Sequence, residues 1–154
     1  MKFAEFKEDI KSVYTGKFPR STCKVIPFKC IGNSLYIDCY LAGDIHECSH
    51  GIAGNDMFKI SLCVNLPDNF NFETDELPEI LTMEAKSNCY MIKPESRYMY
   101  CDMKKVSYRK SSGNAEKLVK VFEKFVDRLY NSVIEDMNNG NIHENHIKLL
   151  KQKI

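Results

Sequence analysis

Residues 57 to 66 read Met57-Phe58-Lys59-Ile60-Ser61-Leu62-Cys63-Val64-Asn65-Leu66, or MFKISLCVNL. Apolar and polar residues alternate without a break. Phe58, Ile60, Leu62, Val64 and Leu66 fall on one side of an extended chain, and Lys59, Ser61, Cys63 and Asn65 on the other. A period of two is that of a half-buried strand. Such a strand belongs to a sheet with one apolar face, and that face needs a cover.

The cover is legible near the end of the chain. In residues 114–138, Ala115, Leu118, Phe122, Phe125, Leu129 and Val133 recur at helical spacing, and Val119, Val126, Tyr130 and Met137 widen the stripe. Asn114 suits an N-cap and Gly140 a stop. So broad a stripe implies a helix laid across a sheet. A second amphipathic helix is expected over residues 2–15, from Phe3, Phe6, Ile10, Val13 and Tyr14, with Gly16 capping its end.

Between the helices the chain reads as strands. Residues 22–31 are β-prone but contain Pro27, which cannot donate to a ladder, so this strand is bulged or at an edge. Gly32-Asn33 is a two-residue turn, and SLYIDCYLA (34–42) the next strand, with Tyr36, Asp38 and Tyr40 sharing one face. Residues 80–85 are ambiguous between strand and helix. Strands 88–93 and 97–109 follow, joined by a turn at Pro94-Glu95-Ser96. The expectation is a single α+β domain over 1–154, with 143–154 a fraying tail. It has an N-terminal helix, a mostly antiparallel sheet of about five or six strands, and a long C-terminal helix packed on the sheet. Helix–sheet–helix chains of this kind recur among secretion-chaperone-like proteins and RNA-binding modules, a likeness of architecture that fixes no function.

Seven cysteines, an odd number without a C-x-x-C pair, read as reduced thiols in a cytoplasmic protein rather than a disulfide framework. The start, MKFAEFKEDIKSVY, is charged throughout and lacks the apolar core of a secretion signal. No apolar run approaches the ~18 residues of a membrane span, so no membrane partner is expected. A homo-oligomer is open.

One motif carries chemistry. Asp44 to Gly51, DIHECSHG, contains H-E-x-x-H, which on a helix puts two imidazoles on one face for zinc and a glutamate beside the bound water. The context is poor. A strand precedes it, Gly43 and Gly51 bracket it, and Ala53 stands where the extended motif needs glycine. His46, His50, Asp56 and His143 are the candidate ligands; with HENH at 143–146, the four histidines form two clusters. The motif is read as a coincidence in a polar loop, with no cofactor and no enzyme activity expected. No phosphate-cradling glycine loop is present either.

What remains is surface. Residues 66–85 hold six acids and no Lys or Arg, whereas residues 86–128 hold eleven Lys/Arg against five acids. Such segregation points to a binding surface. The acidic candidates are Asp68, Glu73, Asp75, Glu76 and Glu79, on a connection where Phe70 and Phe72 would anchor a solvated loop. The basic aromatic candidates are Tyr98, Tyr100, Lys104, Lys105, Tyr108 and Arg109, a pattern that loosely fits single-stranded nucleic acid. The tyrosines are expected to pack under a helix with hydroxyls at the rim. The leading reading is a small protein that binds another protein, such as an inhibitor, an immunity protein or a chaperone-like adaptor of viral or mobile-element origin. The alternative is a single-stranded nucleic-acid-binding module, and the third a zinc-dependent hydrolase.

Overall fold

The computed structural model describes residues 1–19, 22–30, 34–40, 58–91, 103–140 and 151, with side chains for 1–19, 60–87, 107–140 and 151. Helix α1 (Phe3–Lys17) is followed by strands β1 (Thr22–Cys30), β2 (Ser34–Tyr40), β3 (Phe58–Asn65), β4 (Leu81–Met91) and β5 (Met103–Gly113), then helix α2 (Ala115–Asn138). The strands pair in the order β1-β2-β3-β4-β5, each antiparallel to its neighbour. The α+β order of helix, antiparallel sheet and helix holds. Core-facing side chains can be followed on β3 and β4.

The alternation of 57–66 does what its period demands. Ile60, Leu62 and Val64 are fully buried and Leu66 nearly so, while Ser61 and Cys63 are half-buried and Asn65 is exposed. The buried set joins Phe122, Phe125, Leu129 and Val133 of α2 and Phe6, Ile10 and Tyr14 of α1 in one cluster. Each such side chain contributes roughly 1.5–3 kcal/mol through burial. The side chain of Phe58 lies outside those described. Both helices sit on the same side of the sheet and pack on each other, so the described residues form two layers.

Helix α2 starts where the sequence says it should. Asn114 Oδ1 accepts from the Lys117 N–H at 2.8 Å, and Gly140 takes a left-handed conformation (φ 67°) just past the end. Helix α1 runs further than expected. Gly16 does not cap it but lies inside it, and the last turn closes through the Phe18 N–H to the Tyr14 carbonyl at 2.9 Å. The reason is tertiary. Phe18 is fully buried between Tyr14 and Tyr130, with ring centroids 5.2 and 5.8 Å away, and that burial carries the helix past a weak residue.

Two strand assignments are corrected. Residues 80–85 and 88–93 are not separate elements; residues 81–91 form one strand, with Leu81, Met83, Ala85 and Ser87 buried in alternation. Ala85 and the charged Glu84 and Lys86 favour helix locally, but the pairing of Val64 with Met83 and Leu62 with Ala85 overrides them. Strand β5 does not stop at residue 109 but continues to Gly113. Ser111 and Ser112 look like a loop, yet their backbones pair with Met83 and Thr82, and the Thr82 and Ser112 hydroxyls lie 3.2 Å apart. Edge strand β1 changes register between Ile26 and Cys30, the interval that holds Pro27. The turns expected at Gly32-Asn33 and Pro94-Glu95-Ser96 lie outside the described residues. Among the described residues no helix is long and apolar enough to cross a membrane.

Candidate binding surface on the open face of the sheet

With both helices on one side, the other side of the sheet carries no covering layer among the described residues. Ser61, Cys63 and Asn65 of β3, Thr82, Glu84 and Lys86 of β4, and Tyr108, Lys110 and Ser112 of β5 occupy it, and none of them is buried. Antiparallel partners occupy adjacent positions, and the backbone register continues these rows across the strands. One row runs Lys24, Asp38, Ser61, Lys86, Tyr108; the next runs Ile26, Tyr36, Cys63, Glu84, Lys110. A third runs Thr22, Tyr40, Lys59, Asn88, Val106, and Tyr90 pairs with Lys104 beyond it. Register positions of this parity therefore hold Lys24, Lys59, Lys86, Lys104 and Lys110 against Asp38 and Glu84, with Tyr36, Tyr40, Tyr90 and Tyr108 among them.

At the described end the geometry is specific. Tyr108 is 57% exposed, against the expectation that it would pack beneath a helix. It sits on the face the helices do not cover. Its hydroxyl donates to Glu84 Oε1 at 2.8 Å, and Lys110 Nζ stands 3.8 Å from the same oxygen. That hydrogen bond, with burial and the Glu84 charge behind it, holds the Tyr108 phenol above its usual pKa.

The basic strand expected from sequence divides between two faces. Tyr108 and Lys104 share the open-face parity, whereas Lys105 pairs with Cys89 and Arg109 with Ala85, the parity of the helix side. Arg109 is nevertheless exposed, because β5 is an edge strand. Tyr98 and Tyr100 lie outside the described residues. Glu84 falls in the acidic run of the sequence but belongs to the sheet face. The period-two pattern of Leu81, Met83, Ala85 and Ser87 was the signal that could have separated it.

The acidic connection is a folded turn rather than a loose loop. Asn71 Oδ1 accepts from the Glu73 and Thr74 N–H groups at 2.9 and 3.3 Å, and Asp75 Oδ2 accepts from the Asn71 N–H at 2.9 Å. Phe72 packs edge-on against Phe3 with centroids 4.9 Å apart and against Phe70 at 5.4 Å. The Met1 ammonium donates to Glu76 at 2.8 Å, which lowers the carboxyl's pKa and raises the amine's. Asp68, Glu73, Asp75, Glu76 and Glu79 are all exposed.

Among the described residues, clefts open to solvent border the helices. One of about 370 Å³ lies beside Ile80, Leu77 and the start of α2; another of about 410 Å³ lies between α1 and α2, where Lys17 and Asp127 are 3.4 Å apart. Neither gathers a set of catalytic groups. His46, His50, Asp56 and His143 lie outside the described residues, and among the described residues no cluster of His, Cys, Asp and Glu could hold a metal.

No family model matches the chain, and no curated protein or solved structure matches it with significance.

Proposed function

We propose that the protein works by binding another macromolecule, that the open face of the sheet is its binding surface, and that single-stranded nucleic acid is the ligand this surface fits. The observation that supports the reading is the cross-strand register. It gathers lysines and tyrosines from all five strands onto positions of one parity, next to an exposed Tyr108. Lysines on an open sheet engage phosphates, and tyrosine faces stack with bases regardless of sequence. Tyrosine rings dispersed among charges suit splayed single-stranded bases better than a stacked duplex.

The test is a titration of the full chain with a labelled single strand of about ten nucleotides, a length within the site sizes of such surfaces, at several salt concentrations. Affinity is expected to fall with salt, the sign of counterion release. Lys86→Glu with Lys110→Glu should abolish binding while the thermal melt stays close to that of the parent. Unchanged affinity in the double variant, or no binding at low salt, contradicts the proposal.

A second reading has its own support. The acidic turn presents exposed carboxylates on a backbone already held by Asn71 and Asp75, and a preorganised segment loses little entropy on docking to a basic protein. An inhibitor or adaptor role would use that turn rather than the sheet. Glu73→Lys with Glu79→Lys would then abolish partner capture and leave oligonucleotide binding intact.

A further inference from the structure

A carboxylate in the middle of a phosphate-binding face is out of place, and Glu84 occupies that position. It lies between Cys63 and Lys110 in its cross-strand row, 43% exposed, with Lys86 two residues along the same strand. Its purpose cannot be attraction of the backbone, since a carboxylate repels phosphate. Nor is it a buried structural acid.

Its contacts show what it is set up to do. The Tyr108 hydroxyl and the Lys110 ammonium both approach Oε1, at 2.8 and 3.8 Å. Among the described residues both polar contacts of Glu84 fall on Oε1, and Oε2 makes no hydrogen bond or ion pair. The hydroxyl bond fixes the carboxylate at the edge of the exposed Tyr108 ring. A base stacked on that ring would meet, at its rim, a group that only accepts hydrogen bonds.

We infer that Glu84 is a base-reading residue and that the surface prefers guanine. This rests on the proposal that the open face binds single strands. The Watson–Crick edge of guanine offers two adjacent donors, the N1–H and the 2-amino group, which match the two oxygens of a carboxylate. Cytosine and adenine each offer one amino donor beside a ring-nitrogen acceptor. Thymine and uracil offer one N–H between two carbonyls, which face a carboxylate unfavourably. Single-stranded bases expose this edge for reading. A good bidentate contact discriminates by about tenfold or more. Tyr108 supplies stacking that every base shares, and Glu84 supplies the preference.

The experiment compares ten-nucleotide strands of thymidine alone with strands in which three central positions are guanine, cytosine or adenine. Binding is read by fluorescence anisotropy for the parent, Glu84→Gln and Tyr108→Phe, with a thermal melt for each. The parent should bind the guanine strand about tenfold more tightly than the thymidine strand. Glu84→Gln should lose that preference, because the amide NH₂ opposes a guanine donor. It should bind the thymidine strand as well as the parent or better, because a negative charge has gone. Tyr108→Phe keeps the ring and releases the carboxylate, so the preference should shrink while thymidine binding persists. It also tests the inference if Glu84→Gln fails to fold. Equal binding of all strands by the parent overturns the inference and leaves the binding proposal standing. A uniform gain for every strand in Glu84→Gln also overturns it, since Glu84 would then only repel phosphate. Absence of any binding removes both.

Discussion

Met83 and Glu84 are neighbours in β4, yet they belong to two different surfaces. Met83 is fully buried in the layer shared with α1 and α2; Glu84 stands on the open face with its carboxylate held by Tyr108 and Lys110. The same contrast runs through β3, where Leu62 is buried and Cys63 only half so. The covered face is built from side chains whose value is volume and exclusion of water. The open face is built from groups that keep their charge or aromatic faces available. Among the described residues the helices lie on one side of the sheet, so the covered face stabilises the fold and the other is left open for the proposed recognition.

The division predicts unequal mutations. Leu62→Ala or Phe122→Ala should destabilise the protein by roughly 2–5 kcal/mol, because each leaves a cavity in a packed layer. Lys86→Ala and Lys110→Ala on the opposite face, both exposed, should stay within about 0.5 kcal/mol. Denaturant unfolding of the four variants measures both halves, and a loss of less than about 1 kcal/mol for Phe122→Ala would erase the contrast.

A smaller effect sharpens it. Asn114→Ala removes the side-chain cap of α2 and should destabilise by about 1 kcal/mol, without changing oligonucleotide affinity. A cap variant that folds but no longer binds would show that α2, not the open face, carries recognition.

The smallest effect lies on the open face itself. The hydrogen bond to Glu84 raises the Tyr108 pKa above its ordinary 10.0. A raised pKa means the contact's contribution to folding is complete below pH 10.0 and fades as pH climbs through the folded value. Tyr108 should therefore ionise later than an ordinary tyrosine in an NMR titration, and Glu84→Gln should return it toward the ordinary value. An unaltered titration in Glu84→Gln would show that the contact does not hold in solution.

The covered face was largely legible in the sequence because it depends on one-dimensional periods. Ile60, Leu62 and Val64 announce period two, and Leu118, Phe122, Phe125 and Leu129 announce a helix, whatever their partners. Segment 80–85 was not legible, since Glu84, Ala85 and Lys86 suit a helix and only pairing with β3 makes them a strand. Phe18 was missed because its burial depends on Tyr14 and Tyr130, which are far apart in sequence. The open face was legible only in fragments. Tyr36 with Tyr40, Lys59 with Ser61, and Lys104 with Tyr108 could each be assigned a side of their own strand. That Tyr108 pairs with Lys86, and Lys110 with Glu84, is register information, and register arises from turns and packing. H-E-x-x-H at 46–50 lies outside the described residues, so its reading rests on the glycine brackets and the missing spacing.

The most direct measurement is an amide chemical-shift map of the labelled protein titrated with a ten-nucleotide single strand. The open-face account predicts shifts concentrated at Ser61, Cys63, Glu84, Lys86, Tyr108 and Lys110. Residues on the solvent side of α1 and α2, and Glu73 to Glu79 of the acidic turn, should stay still. Shifts centred on the acidic turn or the helices, or no shifts at any strand concentration, would contradict it.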